Sequence, residues 1–207
     1  MEKSYTEFTP KTTRIEAFSD AVFAIVMTIL VLDLKIPNIS SQVTDAQMAN
    51  QLLEVLPNFL CFGLSFLILA IFWVNHHQFF HTLRVTDRAL LWYNNNLLFW
   101  LCCIPFPTAF IGEGYLRILP VTAYGFVLFM SSFSFNLLAR HAHKKGLIEE
   151  SIPDTYMKVA LRRGMAGPLM YFASMVFAPV SVYISLGIFV IGPVFYFIPQ
   201  KIIFGES

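Results

Sequence analysis

Charged side chains are scarce in this sequence. Asp, Glu, Lys and Arg make up 13% of the 207 residues, whereas 57% are hydrophobic and 22 are Phe. A soluble globule of this length needs more polar side chains to cover its surface, so the composition indicates a protein embedded in a lipid bilayer. The net charge is only +1. Nucleic-acid binding requires clustered cations, so we expect no nucleic-acid partner.

Cysteine and the common enzyme motifs are scarce as well. Cys61, Cys102 and Cys103 are odd in number, unpatterned in spacing and set in apolar stretches, which favours neither a disulfide framework nor a zinc site. The sequence contains no Gly-rich phosphate loop and no nucleophile elbow. We therefore expect no enzyme and no cofactor.

Long apolar runs are what the sequence has instead. An α-helix of about 20 apolar residues crosses a bilayer, and the segments that qualify are 14–36, 50–77, 88–110, 119–140, 159–179 and 182–203. The sequence thus predicts an all-α, multi-pass membrane protein in which residues 1–207 form a single transmembrane domain of six helices. Gly164, Gly167 and Pro168 interrupt the fifth segment, so the last two segments fit either a helical hairpin or one long kinked helix.

The basic residues predict the orientation. With a cytoplasmic N-terminus and six spans, all 14 Lys and Arg except Lys35 and Arg117 lie on the cytoplasmic side. Cytoplasmic loops of membrane proteins carry an excess of Lys and Arg. We therefore expect a protein of the cell membrane with both termini in the cytoplasm.

The first apolar segment carries ionisable residues at its entrance, namely Arg14 and Asp20, with Ser19 beside them. A charge at the mouth of a membrane helix is costly unless it is paired or faces water, so an intramembrane carboxylate suggests a functional site. The alternative is a carboxylate at a helix end that is capped by Ser19 and paired with Arg14, without a further role.

An apolar stripe follows on the same helix. At about 100° per residue, Ile25, Ile29 and Leu32 lie within about 60° of one another. Phe18 falls in the same sector and Thr28 lies on its flank. Such a stripe is typical of ordinary helix packing, but rings of these residues around a symmetry axis would form a hydrophobic constriction.

Two motifs resemble the lysosomal potassium channel family of the transmembrane protein 175 type. The first runs from Arg14 through Phe18-Ser19-Asp20-Ala21-Val22-Phe23-Ala24-Ile25 and Thr28 to Leu34-Lys35-Ile36-Pro37, and the second is Phe72-Trp73 followed by His76-His77. The six-span length is similar to that of the bacterial members. The resemblance covers the whole chain, and its specificity is concentrated in the first 37 residues.

The resemblance implies a homotetramer in the lipid bilayer whose first helices line a central pore for potassium and other monovalent cations. It places the narrowest ring at Ile25, continues the constriction with Ile29 and Leu32, and gives Thr28 a part in cation preference. Selectivity for potassium over sodium is then modest, because a hydrophobic ring offers no carbonyl cage. The residues expected to form a scaffold at the entrance are Arg14, Phe18, Ser19, Asp20, Trp73 and His77.

The histidines of the second segment allow another interpretation. His77 and His81 are spaced i, i+4 beside His76, which is compatible with a metal site, but no second pair of ligands completes one. We expect no metal there and instead a hydrogen bond from a histidine to Ser19 or Asp20. Consecutive asparagines at 94–96 fit interhelical hydrogen bonding and are not expected to bind ions.

Two other function classes stay open at this point. A proton-coupled secondary transporter would use Asp20 and His77 as a proton relay, although such carriers normally contain an inverted repeat that the sequence does not show. An integral membrane enzyme would need a nucleophile and base or a metal cluster, which the three histidines alone do not supply.

Overall fold

The computed structural model describes residues 12–35, 44–114 and 116–197. Within these ranges the regular secondary structure is helical, apart from one short bridge between two of the connecting loops. The α-helices described there are α1 Thr12–Ile29, α2 Asp45–Glu54, α3 Leu56–Phe80, α4 Arg88–Cys102, α5 Pro105–Gly112, α6 Ile118–Lys144, α7 Asp154–Gly164, α8 Ala166–Phe177 and α9 Val182–Phe197. A 3₁₀ helix, Leu30–Asp33, continues α1 directly. The all-α prediction is confirmed for these residues.

Four stretches of the described chain are long and apolar enough to cross a bilayer. They are Thr12–Asp33, Leu56–Phe80, Arg88–Gly112 and Ile118–Lys144, and they correspond to the first four predicted segments. α8, with 12 residues, is shorter than the fifth predicted segment because α7 ends at Gly164 inside that segment, and α9 corresponds to the described part of the sixth. Residue 36 of the first predicted segment and residues 198–203 of the last lie outside the described residues.

Prolines and a capping box set the helix boundaries that differ from the sequence prediction. The second predicted segment, 50–77, is divided because α2 is a separate helix, which begins with a capping box formed by Thr44 and Gln47. α3 starts afterwards, with Pro57 in its first turn. Pro105 likewise begins α5, so the third membrane stretch consists of two helices joined end to end.

α6 lies at the centre of the bundle and packs against α4, α5, α8 and α9, whereas α1 lies to one side against α3 and α4. Gly125 of α6 permits the close approach to α8. A Cβ atom at this position would lie only 2.8 Å from the Oγ of Ser174. The leucines that fill the core without exposed surface include Leu30, Leu69, Leu90, Leu97, Leu128 and Leu138.

The end of the described chain folds as a helical hairpin. α8 and α9 pack against each other, and Pro179 lies in the turn between them. The hydroxyl of Ser185 in α9 donates to the carbonyl of Ser174 in α8 at 2.7 Å. Of the two arrangements that the sequence allows, the described residues adopt the hairpin.

The loop between α3 and α4 is hydrogen-bonded to the loop that follows α6. The amide of Arg84 donates to the carbonyl of Leu147, and the amide of Glu149 donates to the carbonyl of Thr82, both at 2.9 Å. Gly146 makes the preceding turn with φ of +65°, a left-handed conformation that glycine adopts without strain. The two loops therefore form one connected layer.

Candidate ion pathway along the first helix

α1 and its 3₁₀ extension have one buried and one exposed face. The buried positions are Ile15, Ser19, Phe23, Val26 and Leu30. The exposed apolar side chains in the predicted stripe are Phe18 at 57%, Ile25 at 57%, Ile29 at 43% and Leu32 at 74%. The stripe is thus not used for packing within the subunit.

The last member of the stripe lies on a different kind of helix from the others. Ile25 and Ile29 are in α1, whereas Leu32 is in the 3₁₀ helix, which has three residues per turn. The α-helical periodicity that predicts the direction of Leu32 therefore ends at Ile29. Leu32 is nevertheless the most exposed residue of the stripe.

A buried chain of hydrogen bonds attaches the entrance of α1 to α4 and α3. The hydroxyl of Ser19 donates to the carbonyl of Ile15 at 2.8 Å, so its oxygen accepts from the Nδ2 of Asn94 at 3.0 Å. The Oδ1 of Asn94 then faces the Nε2 of His76 at 2.8 Å. A carbonyl oxygen only accepts, so the proton of the neutral His76 ring lies on Nε2.

Aromatic contacts hold the His76 ring in this position. It stacks on Phe80, with ring centroids 4.3 Å apart, and meets the edge of Phe23 at 5.5 Å. Ser19, Asn94 and His76 are each at most 1% exposed. A polar chain so deeply buried is costly to break, because each freed group loses its partner away from water.

A second, exposed connection joins α1 to α3. The indole Nε1–H of Trp73 donates to the Oδ1 of Asp20 at 2.9 Å. The indole stacks on His77 at a centroid distance of 5.8 Å, and His77 and His81 share a hydrogen bond of 3.1 Å between their Nε2 atoms. His77 thus orients the Trp73 indole that donates to Asp20.

The prediction of a direct histidine bond to Ser19 or Asp20 is wrong. Asn94 and Trp73 are the direct partners, and His76 reaches Ser19 only through Asn94. Interhelical hydrogen bonding by Asn94 agrees with the expectation for the asparagines at 94–96, although the sequence does not predict which residues are its partners. The spacing of Asn94 does carry a signal for its burial. It lies four residues after Leu90 and three before Leu97, both of which are fully buried, so it belongs to the apolar stripe of α4.

Arg14 does not form the ion pair with Asp20 that the sequence suggests. Its side chain is exposed, and none of the ion pairs among the described residues includes it. Asp20 is exposed as well, and its hydrogen-bond partner is the neutral indole of Trp73. The entrance of one subunit therefore presents both charges on its surface.

Thr28 presents an oxygen beside the apolar stripe. Its hydroxyl proton points back to the helix, where it is shared by the carbonyls of Ile25 at 2.8 Å and Ala24 at 3.0 Å. The residue is exposed, and the lone pairs of its oxygen remain available. This arrangement suits a cation ligand, because the hydroxyl dipole places its negative end outward.

The histidines of α3 make hydrogen bonds with side chains. His76 bonds Asn94, and His77 bonds His81. Within residues 12–35, 44–114 and 116–197, no group of three His, Cys, Asp or Glu side chains is placed to hold a metal ion.

Acidic side chains are hydrogen-bonded to basic ones at both ends of the bundle. Beyond the 3₁₀ helix, the bond between Lys35 and Glu113 raises the pKa of Lys35. At the opposite end, Asp87 accepts from the amide of Leu90 at 2.6 Å and from the Nε2 of His141 at 2.9 Å. Burial raises the pKa of Asp87, but these two bonds outweigh it and hold that pKa below its ordinary value.

Comparison with known proteins identifies the family. Residues 14–105 match the family model described as endosomal/lysosomal potassium channel TMEM175. A protein named as a potassium channel from Chryseobacterium sp. is 34% identical, with 91% of this chain and 93% of that protein covered. Another from Chamaesiphon minutus is 32% identical over 86% of this chain and 89% of its own length.

A solved structure agrees with these sequence matches. The crystal structure of a lysosomal potassium-selective channel TMEM175 homolog from Chamaesiphon minutus superposes with a TM-score of 0.77 at 30% identity. The superposition covers 89% of this chain and 95% of that one. The helical bundle, the motif at the entrance of α1 and the relatives agree, and this chain belongs to the TMEM175 family of potassium channels.

Proposed function

We propose that four copies of this chain form a potassium-permeable cation channel with a central pore lined by α1. The family consists of channels rather than enzymes, and the bacterial relatives that cover nearly the whole chain are named potassium channels. The observation that carries the proposal is the exposed stripe of α1, which one subunit leaves uncovered. A stripe on one helix encloses a pathway only when symmetric copies face each other.

The constriction of this pore is assigned to Ile25, Ile29 and Leu32. Each position becomes a ring of four apolar side chains around the axis, with Ile25 as the narrowest ring. Rings of this kind exclude ions by dewetting until the helices move apart. The exposed fractions of all three residues support the assignment.

Thr28 is assigned to cation preference. Four outward hydroxyl oxygens would lie between the levels of Ile25 and Ile29 and replace part of the water shell of a partly dehydrated cation. Few ligands of this type give modest selectivity for potassium over sodium. The backbone bonds of Thr28 support this role, because they fix the direction in which its oxygen points.

The entrance residues are assigned to scaffold. Ser19 belongs to the buried chain, and Asp20, Trp73 and His77 belong to the exposed connection. Arg14 and Phe18 are exposed residues of the same part of α1. These contacts fix the rotation of α1 about its own axis. That rotation decides which residues of α1 point toward the pore.

Six spans with both termini in the cytoplasm complete the proposal for residues 1–207. The fifth and sixth spans are assigned to the hairpin of α8 and α9, and the packing of these two helices supports the assignment. The distribution of Lys and Arg supports this orientation in the cell membrane, since Lys35 and Arg117 alone fall on the outer side.

The contacts of Asp20 weaken the alternative of a proton-coupled transporter. A relay between Asp20 and His77 needs a group between them that both accepts and donates a proton. Trp73 occupies that position, and its indole N–H only donates. The passive channel is therefore the function that the geometry supports best.

The test is potassium flux into liposomes without a co-substrate. Ile25→Asn should raise the flux several-fold, because amides wet the ring that isoleucine keeps dry. Ile191→Asn is the matched control, since Ile191 is also exposed, at 48%, but lies on α9. Equal flux for both variants at equal protein density would remove Ile25 from the gate, and flux that requires a proton gradient would contradict a passive channel.

A further inference from the structure

An open cavity of about 250 Å³ lies between the end of α6 and α7. Its lining residues are Arg140, His143 and Lys144 from α6 and Lys158, Leu161 and Arg162 from α7. Both triplets have the spacing i, i+3, i+4, which places the three residues of a triplet on one face of their helix. The two helices thus turn basic faces toward the same space.

One carboxylate offsets part of this charge. Asp154 binds Lys158 at 2.6 Å and His143 at 3.3 Å. The bond to Lys158 lowers the pKa of Asp154, which keeps this carboxylate ionised at neutral pH. Arg140, Lys144 and Arg162 form no ion pair with any other residue of the described ranges, so the cavity retains an excess of positive charge.

Such an arrangement favours an anion. Like charges around one cavity repel each other, and an excess of one sign concentrates counter-ions of the other. Arginine presents a planar fork of donors that matches the oxygens of phosphate, and lysine adds a point charge. The volume equals that of several water molecules at about 30 Å³ each, which is enough for a phosphate group.

The position of α7 favours a membrane-bound source of that phosphate. Met157 is buried and attaches α7 to the bundle, whereas Tyr156 and Val159 are exposed at 54% and 46%. Exposed aromatic and apolar residues beside basic ones are typical of helices that lie in the headgroup layer. Basic pockets between helices on the cytoplasmic side are known to suit anionic lipid headgroups.

We propose that the α6/α7 cavity, defined by Arg140, His143, Lys144, Lys158 and Arg162, binds a phosphate group that carries net negative charge. The group belongs to the headgroup of an anionic phospholipid or to free phosphate. The proposal assumes that the end of α6 and α7 lie on the cytoplasmic side of the membrane, as in the orientation proposed above. It needs no assumption about how the channel conducts, and its test measures binding rather than current.

The test compares two triple variants that lose the same residue types from the same side of the protein. The cavity variant, Arg140→Gln/Lys144→Gln/Arg162→Gln, removes the three positive charges of the cavity that form no ion pair within the described ranges. Arg84→Gln/Arg88→Gln/Lys145→Gln is the matched control, because these residues are exposed and do not line the cavity. The probes are short-chain phosphatidylglycerol, phosphatidylcholine with the same chains, and inorganic phosphate, each added to the full-length protein in non-ionic detergent.

Native mass spectrometry and the shift in thermal midpoint report binding. We expect phosphatidylglycerol to bind the unmodified protein better than phosphatidylcholine does, with a loss of about tenfold or more in the cavity variant and about twofold or less in the control. Stabilisation by inorganic phosphate without binding of phosphatidylglycerol would support the site and assign it to free phosphate.

Equal losses in the two triple variants would overturn the proposal, because they would indicate attraction by total surface charge. Measurable binding of both lipids with equal affinity by the unmodified protein would also overturn it, and so would the absence of binding by phosphatidylglycerol and by inorganic phosphate alike. If a triple variant does not assemble, the single variants Arg162→Gln and Arg84→Gln give the same comparison on correctly assembled protein.

Discussion

Replacing Asn94 by Leu should break the buried chain of hydrogen bonds at its middle. Leucine has a similar size, so the main loss is polar. The Nε2–H of His76 loses its acceptor while it stays at most 1% exposed. Ser19 keeps its donor bond to Ile15 and loses only the bond that its oxygen accepts from Asn94.

The cost follows from these two losses. A buried donor without a partner costs about 1–3 kcal/mol, and an interhelical hydrogen bond in a membrane protein contributes about 0.6 kcal/mol. The free energy of unfolding should therefore fall by about 1.6–3.6 kcal/mol. For a chain of this length, at about 2–4 °C per kcal/mol, that corresponds to a thermal midpoint lower by about 3–14 °C.

Two further variants make the measurement specific. Asn95→Leu is the matched control, because Asn95 is the next residue of α4 and is exposed. The double variant His76→Phe/Asn94→Leu removes both partners, and replacing both sides of a buried hydrogen bond by apolar groups is nearly neutral. It should therefore be more stable than Asn94→Leu alone.

Intrinsic tryptophan fluorescence during heating in detergent gives the midpoints, and light scattering gives the size of the assembly. Equal midpoints for Asn94→Leu and Asn95→Leu would show that the buried chain does not stabilise the bundle. A double variant less stable than Asn94→Leu would contradict the inferred donation from His76 to Asn94.

Three other substitutions test other parts of the structure. Thr28→Val should lower the preference for potassium over sodium, measured as a shift of reversal potential under bi-ionic conditions, and an unchanged potential would exclude the hydroxyl as a ligand. Asp20→Ala should reduce the fraction of the proposed tetramer in size-exclusion chromatography with light scattering more than Asp20→Asn does, because asparagine still accepts from Trp73. Equal reductions would show that the charge matters and not the bond, and no reduction in either variant would exclude Asp20 from the scaffold. Asp87→Ala should lower the thermal midpoint at neutral pH. Because the pKa of Asp87 in the folded protein lies below its ordinary value, the difference between the variant and the unmodified protein should shrink as the pH falls through the ordinary pKa of an aspartate and below it. A difference that stays constant in acid would refute the role of the ionised carboxylate.

The helical class and the first four membrane stretches are predictable from the sequence because they depend on apolar length, which a linear count measures directly. Helix ends depend on local chemistry instead. The Thr44–Gln47 capping box begins α2, and Pro57 lies in the first turn of α3; both can be recognised in the sequence. The change from α-helix to 3₁₀ helix after Ile29 has no such mark.

The site shows the same division between local and tertiary information. Ser19, Asp20 and Trp73 stand out in the sequence as polar or aromatic residues at the entrance of apolar helices, and all three make the contacts described above. Which partner each would take depends on the relative rotation of three helices. Periodicity within a single helix says nothing about this relative rotation. The sequence therefore predicts a histidine as the partner of Ser19, whereas the structure has Asn94 there.

The hydrogen-bonded loops beside α3 and α6 have a mechanical consequence for the channel. The bonds from Arg84 to Leu147 and from Glu149 to Thr82 couple the ends of α3, α4 and α6 to one another. α1 has no part in this layer. It is attached near its entrance through Asn94 and Trp73, and at its far end through the buried Leu30 and the ion pair of Lys35 with Glu113. In the proposed channel, opening therefore requires α1 to move against a fixed frame while contacts at both of its ends resist that movement.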